Sequence, residues 1–190
     1  MGRPAPAPAR QAQPGWQDRL VACLPGLRFG GGKKGGDETG PNPVDRGKPG
    51  TKRHIVVDRN GLPLALVLSD ANVHDGKVLA QALDAVPAIR QPRGRPRQRP
   101  AKLHADKGYD FPRCRLDLRR RHIIPRIARR GVETSQRLGR YRWVVERNFA
   151  WINQFRRLIV RYERHADLYR AFLTLAAAII CHRAIKRQFC

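Results

Sequence analysis

Acidic residues are scarce in this chain. Its 190 residues hold 15 Asp and Glu against 39 Lys and Arg, a formal charge of +24. That balance points to a polyanion. Nucleic acid leads, because Lys and Arg that neutralise phosphates release counterions and bind in a salt-sensitive way. A soluble protein from a GC-rich genome, rich in arginine codons, would show the same surplus. Long apolar runs are also missing. The longest, Leu175 to Cys181, is a short alanine-rich stretch, far below the roughly 20 residues that cross a bilayer. Met1 to Arg10 is a Pro/Ala repeat, and Leu20 to Leu24 is broken by Pro25, so neither makes a signal-peptide core. A cytoplasmic protein without membrane contact is expected. The four cysteines, Cys23, Cys114, Cys181 and Cys190, form no C-x-x-C and read as reduced thiols rather than a disulfide or zinc framework. Cys181 and His182 are adjacent on an expected helix, where neighbours do not share a face. What the chain does have is 41% hydrophobic residues, enough for a core of about one domain.

The first 38 residues differ from the rest. A Pro/Ala repeat, an apolar scrap and the glycine-rich RFGGGKKGGDE show neither the strand nor the helix period, so little stable structure is expected there. From about Thr39 the pattern changes. His54 to Val57 and Leu62 to Leu68 flank Asp58-Arg59-Asn60-Gly61, whose Asn-Gly step predicts a β-hairpin. After His74-Asp75-Gly76, the apolar residues Val78, Leu79, Leu83 and Val86 recur at helical spacing. The Pro/Arg-rich AIRQPRGRPRQRPAK cannot be helix or central strand. KLHADKGYD then predicts a strand ending in a turn, Pro112 to Arg121 a basic helix and HIIPRIA another strand. Helices are predicted from Tyr141 to about Val160 and from Asp167 to about Lys186. Strands alternating with helices after a hairpin indicate an α/β sheet.

Two carboxylates could carry chemistry. Asp106 falls at the end of a predicted strand, where open α/β sheets place ligand-facing groups; a turn-forming Asp bonded to its own backbone is the plainer account. On a helical projection Arg142, Glu146, Asn153 and Arg157 share one stripe, with Glu146 its only acid. An Arg142–Glu146 ion pair is the plain alternative to a metal ligand. Mg²⁺ favours carboxylates from separate elements together with substrate phosphates, and two such ions can drive in-line phosphodiester displacement. His74 could be mistaken for a ligand, and His104 shares a strand face with Asp106; a structural histidine is the simpler reading of both.

Three separated stretches carry a resemblance: TGPNPVDRGKPGTKRHIVVDRNGLPLALVLSDANVHD, LHADKGYD and RWVVERNFAWINQFRRL. In this order they resemble the catalytic domain of bacterial insertion-sequence DDE transposases, from about Thr39 to the C-terminus. The resemblance implies an RNase H-like mixed sheet flanked by helices. It makes Asp106 the second catalytic and metal-binding carboxylate and Glu146 the third, with Mg²⁺ or Mn²⁺ as cofactor. Arg142 matches the arginine of the family's R-x-x-x-E signature, whereas Gly139 and Asn153 stand where tyrosine and lysine are common. The first carboxylate has no counterpart. No Asp precedes Lys34-Gly35-Gly36 at the expected place: Asp18 lies too far upstream, Asp37 follows the glycines, and Asp45 and Asp58 belong to loop and turn motifs. The first strand is therefore expected to be missing or altered, with residues 1 to about 32 arising from a shifted frame or alternative start. The division expected is 1–38 as a low-complexity segment and 39–190 as a partial catalytic domain.

Arginines are concentrated from Arg90 to Arg164. Arg93, Arg95 and Arg97 form an AT-hook-like R-G-R-P-R that could enter a narrow minor groove, or touch phosphates as a solvated loop. Eight arginines lie between Arg113 and Arg130, as a DNA-tracking surface or merely a solvated one. Arg142, Arg147 and Arg157 are expected to hold phosphate. The expected activity is Mg-dependent cleavage and strand transfer of DNA by a homo-oligomer. The alternative is a catalytically inactive DNA-binding remnant.

Overall fold

β3 (Pro49–Asp58) and β4 (Pro63–Asp70) form an antiparallel hairpin, with Ile55 opposite Leu66 and Val56 opposite Ala65. Its turn is built by Asp58, whose Oδ1 accepts from the amides of Asn60 at 2.9 Å and Leu62 at 2.8 Å. Gly61 takes φ +84°, and a Cβ there would lie 3.0 Å from the Val144 carbonyl, so both backbone and space call for glycine. These elements come from a computed structural model that describes residues 20–24, 35–90, 95–96, 98–129, 131, 144 and 146–189, with the backbone alone at 20–24 and 188–189. Arg93, Arg97, Arg142 and Gly139 lie outside the described residues.

The sheet runs β4–β3–β1–β5–β6, with the two-residue β2 (Gly40–Pro41) also paired to β3. β1 (Leu20–Leu24) pairs antiparallel with β3 and parallel with β5 (Lys102–Ala105). β5 pairs parallel with β6 (Ile124–Ile127). A strand therefore lies within the segment expected to hold little stable structure. Its register comes from two neighbouring strands, information that a five-residue apolar scrap beside a glycine run does not display locally.

Helices cover both faces. On one, α1 (Asp75–Asp84) and α2 (Pro112–Arg120) bury Val78, Leu79, Ala82, Leu83 and Leu118 against Val56, Val67 and Leu103. His74 caps α1 by accepting from the Gly76 amide at 3.1 Å, and Pro112 opens α2 where its missing N–H costs nothing. On the other face a helix over residues 146–153, α3, precedes α4 (Arg156–Ile159) and α5 (Ala166–Phe189). There Phe149, Ile152, Leu158, Tyr169, Leu173, Ala176 and Ile180 pack on Ile55, Val57 and Leu68. The successive residues Ile55, Val56 and Val57 thus serve opposite cores, which is why the run is continuously apolar.

The single helix expected from Tyr141 to about Val160 is instead interrupted at Gln154 and Phe155. Arg53, 1% exposed, spans this junction: its guanidinium donates to the Leu158 carbonyl of α4 and to Asn153 Oδ1 at the end of α3, both at 3.2 Å. Tyr169 Oη donates to the same carbonyl. Carbonyls captured by tertiary donors need no helical amide. By length and composition α5 could also cross a bilayer, with mean hydropathy 1.4 over its best window and 28% of that window buried. Its few charges are spaced along a long helix, which a search for uninterrupted apolar runs passes over.

Candidate functional site

Asp106 directly follows β5. Its extended backbone caps a 3₁₀ turn, Lys107–Tyr109, and its Oδ1 accepts the Gly108 amide. The self-bonded turn is therefore observed, at the carboxyl end of a parallel strand. Ala105 pairs with Cys23 of β1, so continuing that parallel register places Leu24 beside Asp106. β1 and β5 are adjacent central strands, and the position next to Asp106 is filled by leucine.

The turn is fastened from the α1 side. Tyr109 is fully buried, and its Oη lies 3.4 Å from Nδ1 of His54, whose Nε2 lies 2.8 Å from Ser69 Oγ. Burial, opposed by the nearby Asp75 charge and reinforced by that of Lys52, pushes His54 down to about 4, so the ring is neutral at physiological pH. Lys52 donates to the Val73 carbonyl at 2.7 Å and to Asp75 Oδ1 at 3.1 Å, with its side chain 8% exposed. A Cβ on Gly108 would sit 3.0 Å from Asp106 Oδ1 and 3.2 Å from Asp75 Oδ2. The two carboxylates thus flank one glycine, with the Lys52 ammonium behind Asp75. Lys52, His54, Asp75 and Tyr109 were not singled out by motif reasoning. The available signal was Lys52 and His54 at alternate positions of an apolar strand, which puts two polar side chains on one buried face.

Glu146 is exposed on α3. Two contacts anchor this region over the β3–β4 hairpin: Asn148, fully buried, donates to the Gly61 carbonyl at 2.8 Å, and Val144 stands against Gly61. Leu24, beside Asp106, pairs with Ile55, whereas the hairpin turn begins at Asp58. The anchors of the two carboxylates therefore sit at levels of β3 about 10 Å apart. Among the described residues no group of three His, Cys, Asp or Glu is arranged to hold a metal ion. The donors that are present, hard carboxylate oxygens, suit Mg²⁺, but the described set is short of a third ligand beside Asp106.

Several cations form ion pairs and several are exposed, some of them both. Arg157 does not continue the Glu146 stripe, because the helix break moves it into α4, where Nε bonds Glu163 at 2.9 Å and the guanidinium lies over Phe172. Arg115 is tied to Asp110, and Arg121 to Asp84 and Asp117. Arg95, Arg113, Arg119, Arg120, Arg126, Arg129 and Arg147 are exposed, with Arg147 over the Trp151 ring at 5.7 Å. His104 is half-buried; burial, then the Arg126 and Lys102 charges, lowers its pKa, which disfavours the protonated ring. Cys114 and Cys181 are free thiols whose pKa burial raises, so neither is an activated nucleophile.

The sheet presents an aspartate at the carboxyl end of a parallel strand, and exposed arginines are numerous among the described residues. Residues 23–181 match the family described as "Transposase DDE domain", and the chain belongs to that family. It is 48% identical over 187 residues to a Burkholderia cepacia protein named "Putative transposase for insertion sequence element IS402", covering 98% of this chain and 89% of the relative.

Proposed function

We propose that the chain acts on DNA as the transposase of an insertion sequence, in the cytoplasm and as a homo-oligomer, with an RNase H-like fold. The observation that carries the reading is the placement of Asp106 at the carboxyl end of β5, immediately beside β1. In this reading Asp106 and Glu146 are the carboxylates that hold Mg²⁺ or Mn²⁺. Such an ion, when bound, supplies Lewis-acid activation of the water or 3′-hydroxyl that attacks a phosphodiester. The chain's own contribution is positional. Tyr109, His54 and the Lys52–Asp75 pair fix the turn that carries Asp106. Arg147 and Arg95 project toward solvent where phosphates can meet them, joined by Arg93, Arg97 and Arg142 of the motifs and, on its open side, by Arg157. Residues 39–190 form the main catalytic portion of this reading, preceded by a segment that supplies β1.

A second reading, a DNA-binding remnant without cleavage, is favoured by one observation: the position beside Asp106 on β1 is Leu24. A nicking and strand-transfer assay with Mg²⁺ on terminal-repeat DNA separates the two. Metal-dependent cleavage abolished by Glu146→Gln supports the enzyme. Salt-sensitive binding without cleavage, with cleavage gained in Leu24→Asp, supports the remnant. Binding indifferent to salt would count against both.

A further inference from the structure

α5 has two apolar faces and the sheet covers one. Ala166, Tyr169, Leu173, Ala176 and Ile180, spaced three and four apart, are buried in the core. A second series with the same spacing, Leu168, Ala171, Leu175, Ala178, His182 and Ile185, points away from it, and Leu168, Leu175 and Ile185 are 54%, 59% and 53% exposed. A helix apolar around its circumference belongs in a setting covered on both sides. Spacing of three and four over about five turns is the pattern of a helix pairing with another helix. Arg170 borders this outer face, but its guanidinium is matched by Asp167 and Glu38, so the face does not suit a phosphate backbone.

We propose that the outer face of α5 is a self-association surface, on which a second copy of this chain packs its own α5 antiparallel. Charge selects the orientation. Asp167 stands at one end of the face and Arg183, Lys186 and Arg187 at the other, so a parallel pair would set like against like. An antiparallel pair centred between Leu175 and Ala178 sets these two opposite each other, large against small. It then brings Leu168 opposite Ile185 and Asp167 opposite Lys186, at both ends by symmetry. Arg183 falls opposite Arg170, whose charge is already matched by Asp167 and Glu38, each at 2.8 Å. The surface rests on the transposase reading only for the purpose of the oligomer.

Sedimentation velocity of the full chain, without DNA or metal, tests this apart from any cleavage assay. The expected result is a concentration-dependent dimer that Leu175→Glu converts to monomer while leaving the circular-dichroism melt unchanged. Asp167→Lys or Lys186→Asp alone should weaken the dimer by about threefold to tenfold, and the double exchange should restore it. A wild type that stays monomeric at high micromolar concentration overturns the proposal. So does a dimer indifferent to Leu175→Glu, or a double exchange no tighter than the singles. A monomer that instead co-sediments with phosphatidylcholine vesicles through Leu175 overturns it in favour of a lipid surface.

Discussion

His54 shows how a side chain can be polar, buried and yet structural. Held between Ser69 and Tyr109 with no exposed surface, it is favoured in the neutral form, its pKa lying at about 4 against the ordinary 6.5. Below pH 6.5 the unfolded chain therefore binds a proton that the folded chain refuses, and stability falls as pH drops from 6.5 toward 4. The full effect is on the order of 3 kcal/mol. Urea denaturation midpoints taken across that range should fall more steeply for wild type than for His54→Gln, and equal slopes would remove His54 from the account. Asp106 was legible in the sequence because a strand followed by Asp-Lys-Gly has a strong local signature. His54 was not, since its partners lie 15 and 55 positions away and nothing in its own segment reveals them.

Among the elements, the hairpin, α1, α2 and α5 were visible as periods of two and 3.6, and each appears close to its expected limits. The interruption between α3 and α4 was not visible, and the side chain that spans it comes from another element, β3. Arg53 reaches from β3 to Asn153 and to the Leu158 carbonyl, with Phe149 beneath its guanidinium. Burial lowers its pKa, the nearby Tyr169 opposing this, and Arg remains charged in proteins in any case. Arg53→Met should keep the bulk while stripping these acceptors of their donor, at a cost of about 2 to 4 kcal/mol. Chemical denaturation gives the total, and hydrogen exchange at the amides of residues 156–159 reports whether the loss is concentrated at the break. Uniform loss across the sheet would mean that Arg53 acts on the core rather than on this junction.

At the scale of the whole molecule, the +24 charge resolves into arginines spent on internal carboxylates and others turned outward. Arg147 belongs to the second group, although it also lies over Trp151. Arg147→Ala should weaken DNA binding evenly across sequences and make the slope of log K against log salt shallower by about 1. Fluorescence anisotropy at several salt concentrations measures this, and an unchanged slope would exclude a phosphate contact. The order of the sheet could be assembled only in part from the sequence, because β1 has no turn signal and no alternation of its own. Yet among the described residues β1 is the strand that hydrogen-bonds an antiparallel half, β3 and β4, to a parallel half, β5 and β6. A ladder link asks for backbone amides and carbonyls, not for a particular side chain. Chemistry and architecture can therefore be inherited separately along this strand: substitution of its residues can erase a reactive group without a trace in the fold, whereas removal of the same five residues would leave two half-sheets with raw edges, held together only by the helices packed across them.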